Sequence, residues 1–106
     1  MEELSAAGGH TIVVEMDRIP VFEQTRQMCA ALNLDPLGLI GSGSLLICCR
    51  PQNRRQLVDH LHTGGIAVTA IGRVLGKGQG VQALRCGKPA IWPHFEADEI
   101  AKMFLQ

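Results

Sequence analysis

The stretch TIVVEMDRIPVFEQTRQMCAAL, residues 11–32, places a strand directly before an amphipathic helix. Its first part, Thr11–Met16, is rich in β-branched residues, which favour strands. Pro20 presets the backbone angle of a first helical position, and the apolar residues of Val21–Leu32 recur near one face at helical spacing. Asn33 then follows as a residue typical of a helix end. The rest of the fold is predicted outward from this strand and helix.

The flanking sequence continues the alternation of strands and helices. Leu45–Cys49 is a continuous apolar run after glycines and serines, which predicts a central, fully buried strand. Gly76–Gly80 lacks the residue order of a phosphate-binding loop and predicts a hairpin loop. Met1–Ala7 resembles the last turns of a helix that stops at Gly8-Gly9. The other predicted elements are a helix at Pro51–His62, strands at Ile66–Leu75 and Val81–Cys86, an edge strand at Ala90–Trp92 and a helix at Glu96–Leu105.

The predicted order from the first strand onward is β-α-β-α-β-β-α. Because helices separate the first three strands, we expect right-handed crossovers and a partly parallel sheet, to which the hairpin adds an antiparallel pair. The predicted fold class is therefore α/β (α+β), a mixed sheet with packed helices that is related in outline to ferredoxin-like folds. The 106 residues are enough for a single domain.

Composition excludes several classes of function. A hydrophobic content of 46% with 19% charged residues is typical of a globular protein. The formal net charge is zero, so no basic field attracts nucleic acid. The sequence has no apolar run of the roughly 20 residues that a membrane span needs, and its start lacks the features of a signal peptide. We therefore expect a cytoplasmic protein that binds neither nucleic acid nor membrane.

The cysteines and histidines show no metal-binding pattern. The four cysteines form no CxxC pair, so we expect reduced, mostly buried thiols rather than a zinc site or a disulfide framework. The histidines have no ligand spacing, because His60 and His62 point about 200° apart on a helix. No nucleophile–base pair can be placed, so the sequence predicts no catalytic residues and no metal ligands.

Two features are candidates for a substrate cleft. Small residues in the loop Gly41–Ser44 would let a ligand approach the backbone and its N–H groups, although a flexible turn explains them equally well. Arg73 lies in a predicted strand and could hold an anion with two hydrogen bonds. An ordinary exposed strand residue is the alternative interpretation of Arg73.

Four segments in this order resemble the C-terminal domain of the AIR synthase superfamily. They are GHTIVVEMDRIPVFEQTR at residues 9–26, ALNLDPL at 31–37, SGSLLI at 42–47 and GIAVTAIGRV at 65–74. The resemblance covers nearly the whole chain, and the ordered set is more specific than any one segment. It implies a single AIR synthase-related C-terminal domain over residues 1–106, closest to HypE-like hydrogenase-maturation proteins and other AIR synthase-related proteins.

The resemblance also implies the function of a parent enzyme. In such enzymes an N-terminal domain binds ATP and magnesium through acidic residues and dimerises, and the C-terminal domain closes the cleft over it. The parent phosphorylates a substrate oxygen or an equivalent acceptor. The N-terminal ATP-binding domain is absent from this sequence, so the resemblance assigns ATP and Mg to the parent and no cofactor to this chain. The cleft-facing positions that it implies are Ser42, Gly43 and Ser44.

The resemblance sets expectations for partners and leaves alternatives open. We expect a domain that is catalytically incomplete, pairs with the missing N-terminal domain, and forms a homodimer or self-associates through uncovered apolar surface. The tail Lys102–Gln106 lacks the terminal reactive cysteine of HypE, which favours an unassigned relative. The alternatives are a free-standing ferredoxin-like module that holds a small ligand at Gly41–Ser44, and a regulatory or assembly module.

Overall fold

The computed structural model describes residues 1–104 and contains a four-stranded mixed sheet with packed helices, which confirms the predicted fold class. The α-helices are α1 (Glu2–Gly8), α2 (Glu23–Leu32) and α3 (Arg54–Thr63). The strands are β1 (His10–Glu15), β2 (Gly72–Lys77), β3 (Val81–Arg85) and β4 (Lys88–Ala90). Short 3-10 helices span Met16–Arg18, Pro36–Gly38, Pro51–Asn53 and Glu99–Met103. Among residues 1–104, no helix is long and apolar enough to cross a membrane.

Strand β1 is the centre of the sheet, whose strand order is β2-β1-β3-β4. It pairs antiparallel with β2 and parallel with β3, and β4 pairs antiparallel with β3. Successive side chains of a strand point to opposite faces, yet Ile12, Val13 and Val14 are all buried. Both faces of β1 are therefore covered, and the apolar run that predicted this strand forms the core.

The chain divides into two compact units. The first consists of Met1–Ile19 and Leu46–Ile91, which contain the sheet, α1 and α3. The second consists of Pro20–Leu45 and the chain from Trp92 onward, which contain α2 and the last 3-10 helix.

Helix α1 ends as the sequence predicts and is anchored by one serine. Gly9 adopts a left-handed conformation with a φ of 68°, and its N–H donates to the carbonyl of Ser5. The Ser5 side chain is fully buried. Its hydroxyl donates to the carbonyl of His10 over 2.6 Å and accepts from the N–H of Gly80 over 2.8 Å. Helix α1 is thus bound to the start of β1 and to the loop before β3.

The predicted hairpin at Gly76–Gly80 is wrong in its pairing. Strands β2 and β3 are joined by a short loop, but β1 lies between them. The end of β2 pairs with the start of β1, Lys77 with His10, and the start of β3 pairs with β1 on its other side, Val81 with Ile12. Loop composition predicts a reversal of chain direction, whereas the intervening strand comes from a distant part of the sequence.

The predicted central strand at Leu45–Cys49 does not form. These residues belong to no strand and are exposed. An apolar run indicates strand propensity, but a strand also needs a partner strand. Both sides of the central strand β1 are occupied, one by β2 and the other by β3. The strand predicted at Ile66–Leu75 is likewise shorter, because β2 begins only at Gly72.

The C-terminal predictions are shifted or shortened. The edge strand predicted at Ala90–Trp92 is β4, two residues earlier. The helix predicted at Glu96–Leu105 is a 3-10 helix over Glu99–Met103, and its predicted end at Leu105 lies outside the described residues. Its start is later because Asp98 caps it, accepting the N–H of Ile100 over 3.1 Å.

The expectation of mostly buried cysteines is also wrong. Cys29 on α2 is buried, whereas Cys48, Cys49 and Cys86 are exposed, and all four are free. Cys48 and Cys49 are exposed because their predicted strand does not form. Cys86 has a positive φ of 51° in the two-residue turn between β3 and β4, where positive φ at both positions matches the twist of the strands.

Candidate functional site

The predicted cleft residues Ser42, Gly43 and Ser44 form a tight turn in the second unit. The N–H of Ser44 donates to the carbonyl of Gly41 over 2.9 Å, and Gly43 has a φ of 84°. A positive φ of this size favours glycine over residues with a side chain. Both serines are exposed. The turn explains the glycines in structural terms, and a ligand-binding role for the three residues stays a prediction.

Arg73 lies on β2 in the first unit, as the sequence predicts, and is exposed. Within residues 1–104 its guanidinium has no hydrogen bond or ion pair. The Ser42–Ser44 turn and Arg73 belong to different units, so they are not joined into one site here. A role for Arg73 in anion binding also stays a prediction.

The second unit contains a cavity that the sequence did not predict. Its volume is about 800 Å³, within the size range of small-molecule sites. One wall comes from the end of α2 and the segment after it, and the other comes from the segment around the last 3-10 helix. The lining residues are Asn33, Leu34, Asp35, Pro36, His94, Phe95, Glu96, Ala97, Asp98, Glu99, Ala101 and Lys102.

Two aspartates at the cavity begin the 3-10 helices of its walls. Asp35 accepts the N–H of Leu37 over 2.9 Å, and Asp98 accepts the N–H of Ile100 over 3.1 Å. Aspartate favours such positions because its carboxylate accepts N–H groups that the helix itself leaves without an acceptor. These local bonds hold both carboxylates in place at the cavity.

Glu99 joins the two walls of the cavity. Its side chain is buried, and its carboxylate accepts the backbone N–H of Asp35 over 2.9 Å and binds the Lys102 ammonium over 2.8 Å. The hydrogen bond from Lys102, followed by that from Asp35, lowers the pKa of Glu99 below its ordinary value of 4.5, against the opposing effect of burial. The walls are packed so closely here that a Cβ on Gly38 would overlap Glu99 and lie 2.6 Å from the Phe95 ring.

The cavity carries an excess of negative charge. Its lining includes four carboxylates, at Asp35, Glu96, Asp98 and Glu99, against one ammonium, at Lys102. Among residues 1–104, no group of three or more His, Cys, Asp or Glu side chains is arranged to hold a metal ion. The arrangement therefore favours cationic or hydrogen-bond-donating ligands over anions.

Acid should weaken the contact between the walls through Glu99. Because the pKa of Glu99 is lower in the folded state, its stabilising effect is complete above pH 4.5 and is lost as the pH falls through the folded pKa. We expect the urea midpoint, followed by the fluorescence of Trp92, to drop between about pH 7 and about pH 3.5. In Glu99→Gln this drop should be smaller, and in the exposed-site control Glu96→Gln it should be unchanged. An equal drop in Glu99→Gln would contradict the assignment.

Sequence reasoning missed this cavity because its walls come from distant segments. Glu99 and Asp35 are 64 positions apart, and local periodicity carries no information on such a pair. The one local signal is the pair of capping aspartates, each two residues before the N–H that it accepts. That signal predicts two helix starts, not their contact.

Comparison with known proteins identifies the family from most of the chain. The family model described as AIR synthase related protein, C-terminal domain, matches residues 1–83. The chain belongs to this family. No curated protein and no solved structure matches the chain significantly. The family match ends inside β3, so the His94–Lys102 wall of the cavity lies outside it, and membership of the family assigns no role to the cavity.

Proposed function

We propose that this chain is the cleft-closing C-terminal domain of an ATP-dependent, HypE-like enzyme of the AIR synthase-related type and is catalytically incomplete by itself. The observation that carries the proposal is the family match over residues 1–83. The mixed sheet supports it in part, because β1 and the start of β2 lie within the first and last of the matched segments. A second domain would supply the nucleotide site.

In our proposal the nucleotide and its magnesium are bound by the second domain and not by this chain. The cavity is lined by more carboxylates than cations, which disfavours a polyphosphate. In our proposal this chain contributes substrate contacts through the hydroxyls of Ser42 and Ser44 and the N–H of Gly43, and separately through the guanidinium of Arg73.

Calorimetry with ATP and magnesium tests the proposal. The chain by itself should give no binding heat and no ATP hydrolysis, whereas hydrolysis should appear when it is joined to its nucleotide-binding domain. In that complete enzyme Arg73→Ala should lower kcat/KM about tenfold or more, because a charged hydrogen bond contributes about 1.5–3 kcal/mol. The matched control Lys88→Ala should leave kcat/KM unchanged. Tight binding of ATP by this chain alone would overturn the proposal.

The cavity favours a second candidate, a module that binds a small ligand without a partner domain. Its volume and its partly polar lining are suited to a small molecule, and one wall lies beyond the family match. Thermal unfolding of the chain in the presence of free amino acids separates the two candidates. A rise in Tm with an amino acid, in the chain alone, supports the binding module, and no rise supports the cleft-closing domain.

A further inference from the structure

An unpaired apolar segment precedes α3 in the first unit. Leu46 and Ile47 expose 42% and 46% of their surface. Within residues 1–104, no hydrogen bond reaches the backbone of Leu46–Cys49, and the segment belongs to no strand. Backbone N–H and C=O groups without partners can pair with an extended peptide, and exposed apolar side chains beside them add contact area.

Three arginines follow this segment and lack ionic partners. Arg50 directly precedes the 3-10 helix before α3, and Arg54 and Arg55 lie in the first turn of α3. All three are exposed, and none forms an ion pair within residues 1–104. Cations are unfavourable at a helix N-terminus, because the helix dipole is positive there. The helix dipole therefore does not account for Arg54 and Arg55, and the three guanidinium groups are available to the carboxylates of a partner.

We propose that these residues bind an extended acidic segment of a partner protein. The arginine surface, as we call it, consists of Leu46, Ile47, Arg50, Arg54 and Arg55. Apolar residues flanked by arginines are typical of protein interfaces. The partner's backbone pairs with Leu46–Cys49, and its carboxylates pair with the guanidinium groups, which prefer such planar acceptors. This inference goes beyond the proposed function and is tested on the chain alone.

Two other occupants fit the arginine surface less well. An anionic membrane would attract the arginines, but it offers no partner for the unpaired backbone of Leu46–Cys49, which is costly to bury in lipid. In a two-fold symmetric dimer, a second copy would bring the same three cations to the contact, so that like charges would face each other. A protein strand with acidic side chains satisfies both the backbone and the charges.

Fluorescence anisotropy with short labelled peptides tests the inference. A capped peptide of alternating valine and glutamate should bind the chain with a Kd below about 1 mM, and its valine–lysine counterpart should not bind. Binding should weaken between about 50 mM and about 300 mM salt, because salt screens exposed charges. Arg54→Glu/Arg55→Glu should weaken binding at least about tenfold. Ile47→Ser should weaken it as well, since it removes apolar contact area.

The charge-reversal variant has its own controls. Lys77→Glu/Lys88→Glu changes the net charge equally and should leave peptide affinity unchanged. Glutamates in the first turn of α3 favour the helix dipole, so Arg54→Glu/Arg55→Glu should melt no lower than the wild type. The inference is overturned if the glutamate peptide does not bind, or if both charge variants bind alike. Tighter binding to phosphatidylserine vesicles, or self-association that displaces the peptide, would assign the surface to a membrane or to a second copy.

Discussion

Gly72→Ala should destabilise the sheet by about 3 kcal/mol, the upper part of the range for overpacking a close contact. A Cβ on Gly72 would overlap the carbonyl oxygen of Val13 and would lie 3.0 Å from its carbonyl carbon and 3.1 Å from the Cα of Val14. These are backbone atoms of β1, and Val13 and Val14 are buried. Because these backbone atoms cannot rotate away as a side chain could, β1 and β2 would have to move apart.

Urea unfolding followed by far-ultraviolet circular dichroism measures this effect. The matched control is Gly76→Ala on the same strand, because a Cβ on Gly76 meets no atom within 4 Å. Alanine also restricts the unfolded chain, so the control should be neutral or slightly stabilising. Similar midpoints for the two variants would show that β1 and β2 do not approach as closely at Gly72 as the structure has it.

The sequence predicts those elements whose signal is local. The β-branched run Thr11–Met16 predicts β1, and the structure places a strand over His10–Glu15. Gly9 predicts the end of α1, because a left-handed backbone at a helix end favours glycine, and its φ is 68°. The helix at Val21–Leu32 is present from Glu23 to Leu32 and ends at Asn33, whose φ is 54°.

The pairing of strands is not predictable in the same way. Leu45–Cys49 has the composition of a buried strand, yet the places beside β1 are occupied by β2 and β3. Composition indicates how well a segment fits into a sheet. It does not indicate which of several segments pairs with β1. The loop Gly76–Gly80 predicts a chain reversal, and only the register of β1 shows that the reversal passes around another strand.

In the candidate sites, too, local features are predictable from the sequence and contacts between distant residues are not. The turn at Ser42–Ser44 and the strand position of Arg73 are local features, and both are found where the sequence predicts them. The cavity depends on Glu99 meeting the backbone of Asp35, and no periodicity connects these positions. The predicted helix at Glu96–Leu105 is consistent with a helix start at Asp98, but it does not predict the burial of Glu99.

The contact between α1 and the loop before β3 depends on the hydroxyl of Ser5. Ser5→Ala should therefore lower the free energy of unfolding by about 1–2 kcal/mol. The variant loses the bond to His10 and leaves the N–H of Gly80 without its side-chain acceptor. A buried polar group without a partner costs about 1–3 kcal/mol. Alanine gains about 0.5 kcal/mol over serine within a helix, so the net loss is smaller than the cost of the missing bonds.

The loss of stability in Ser5→Ala should be largest near the hydrogen bonds that the serine makes. The carbonyl of Gly80 accepts the N–H of Ile12, so the loop that Ser5 fixes is the one that starts the parallel pairing of β1 with β3. Hydrogen exchange should therefore quicken at Gly80 and Ile12 and not in α2. The matched control Ser42→Ala makes the same chemical change at an exposed turn and should leave stability within about 0.5 kcal/mol of the wild type. Equal midpoints for both serine variants would contradict the role of the buried hydroxyl in anchoring α1.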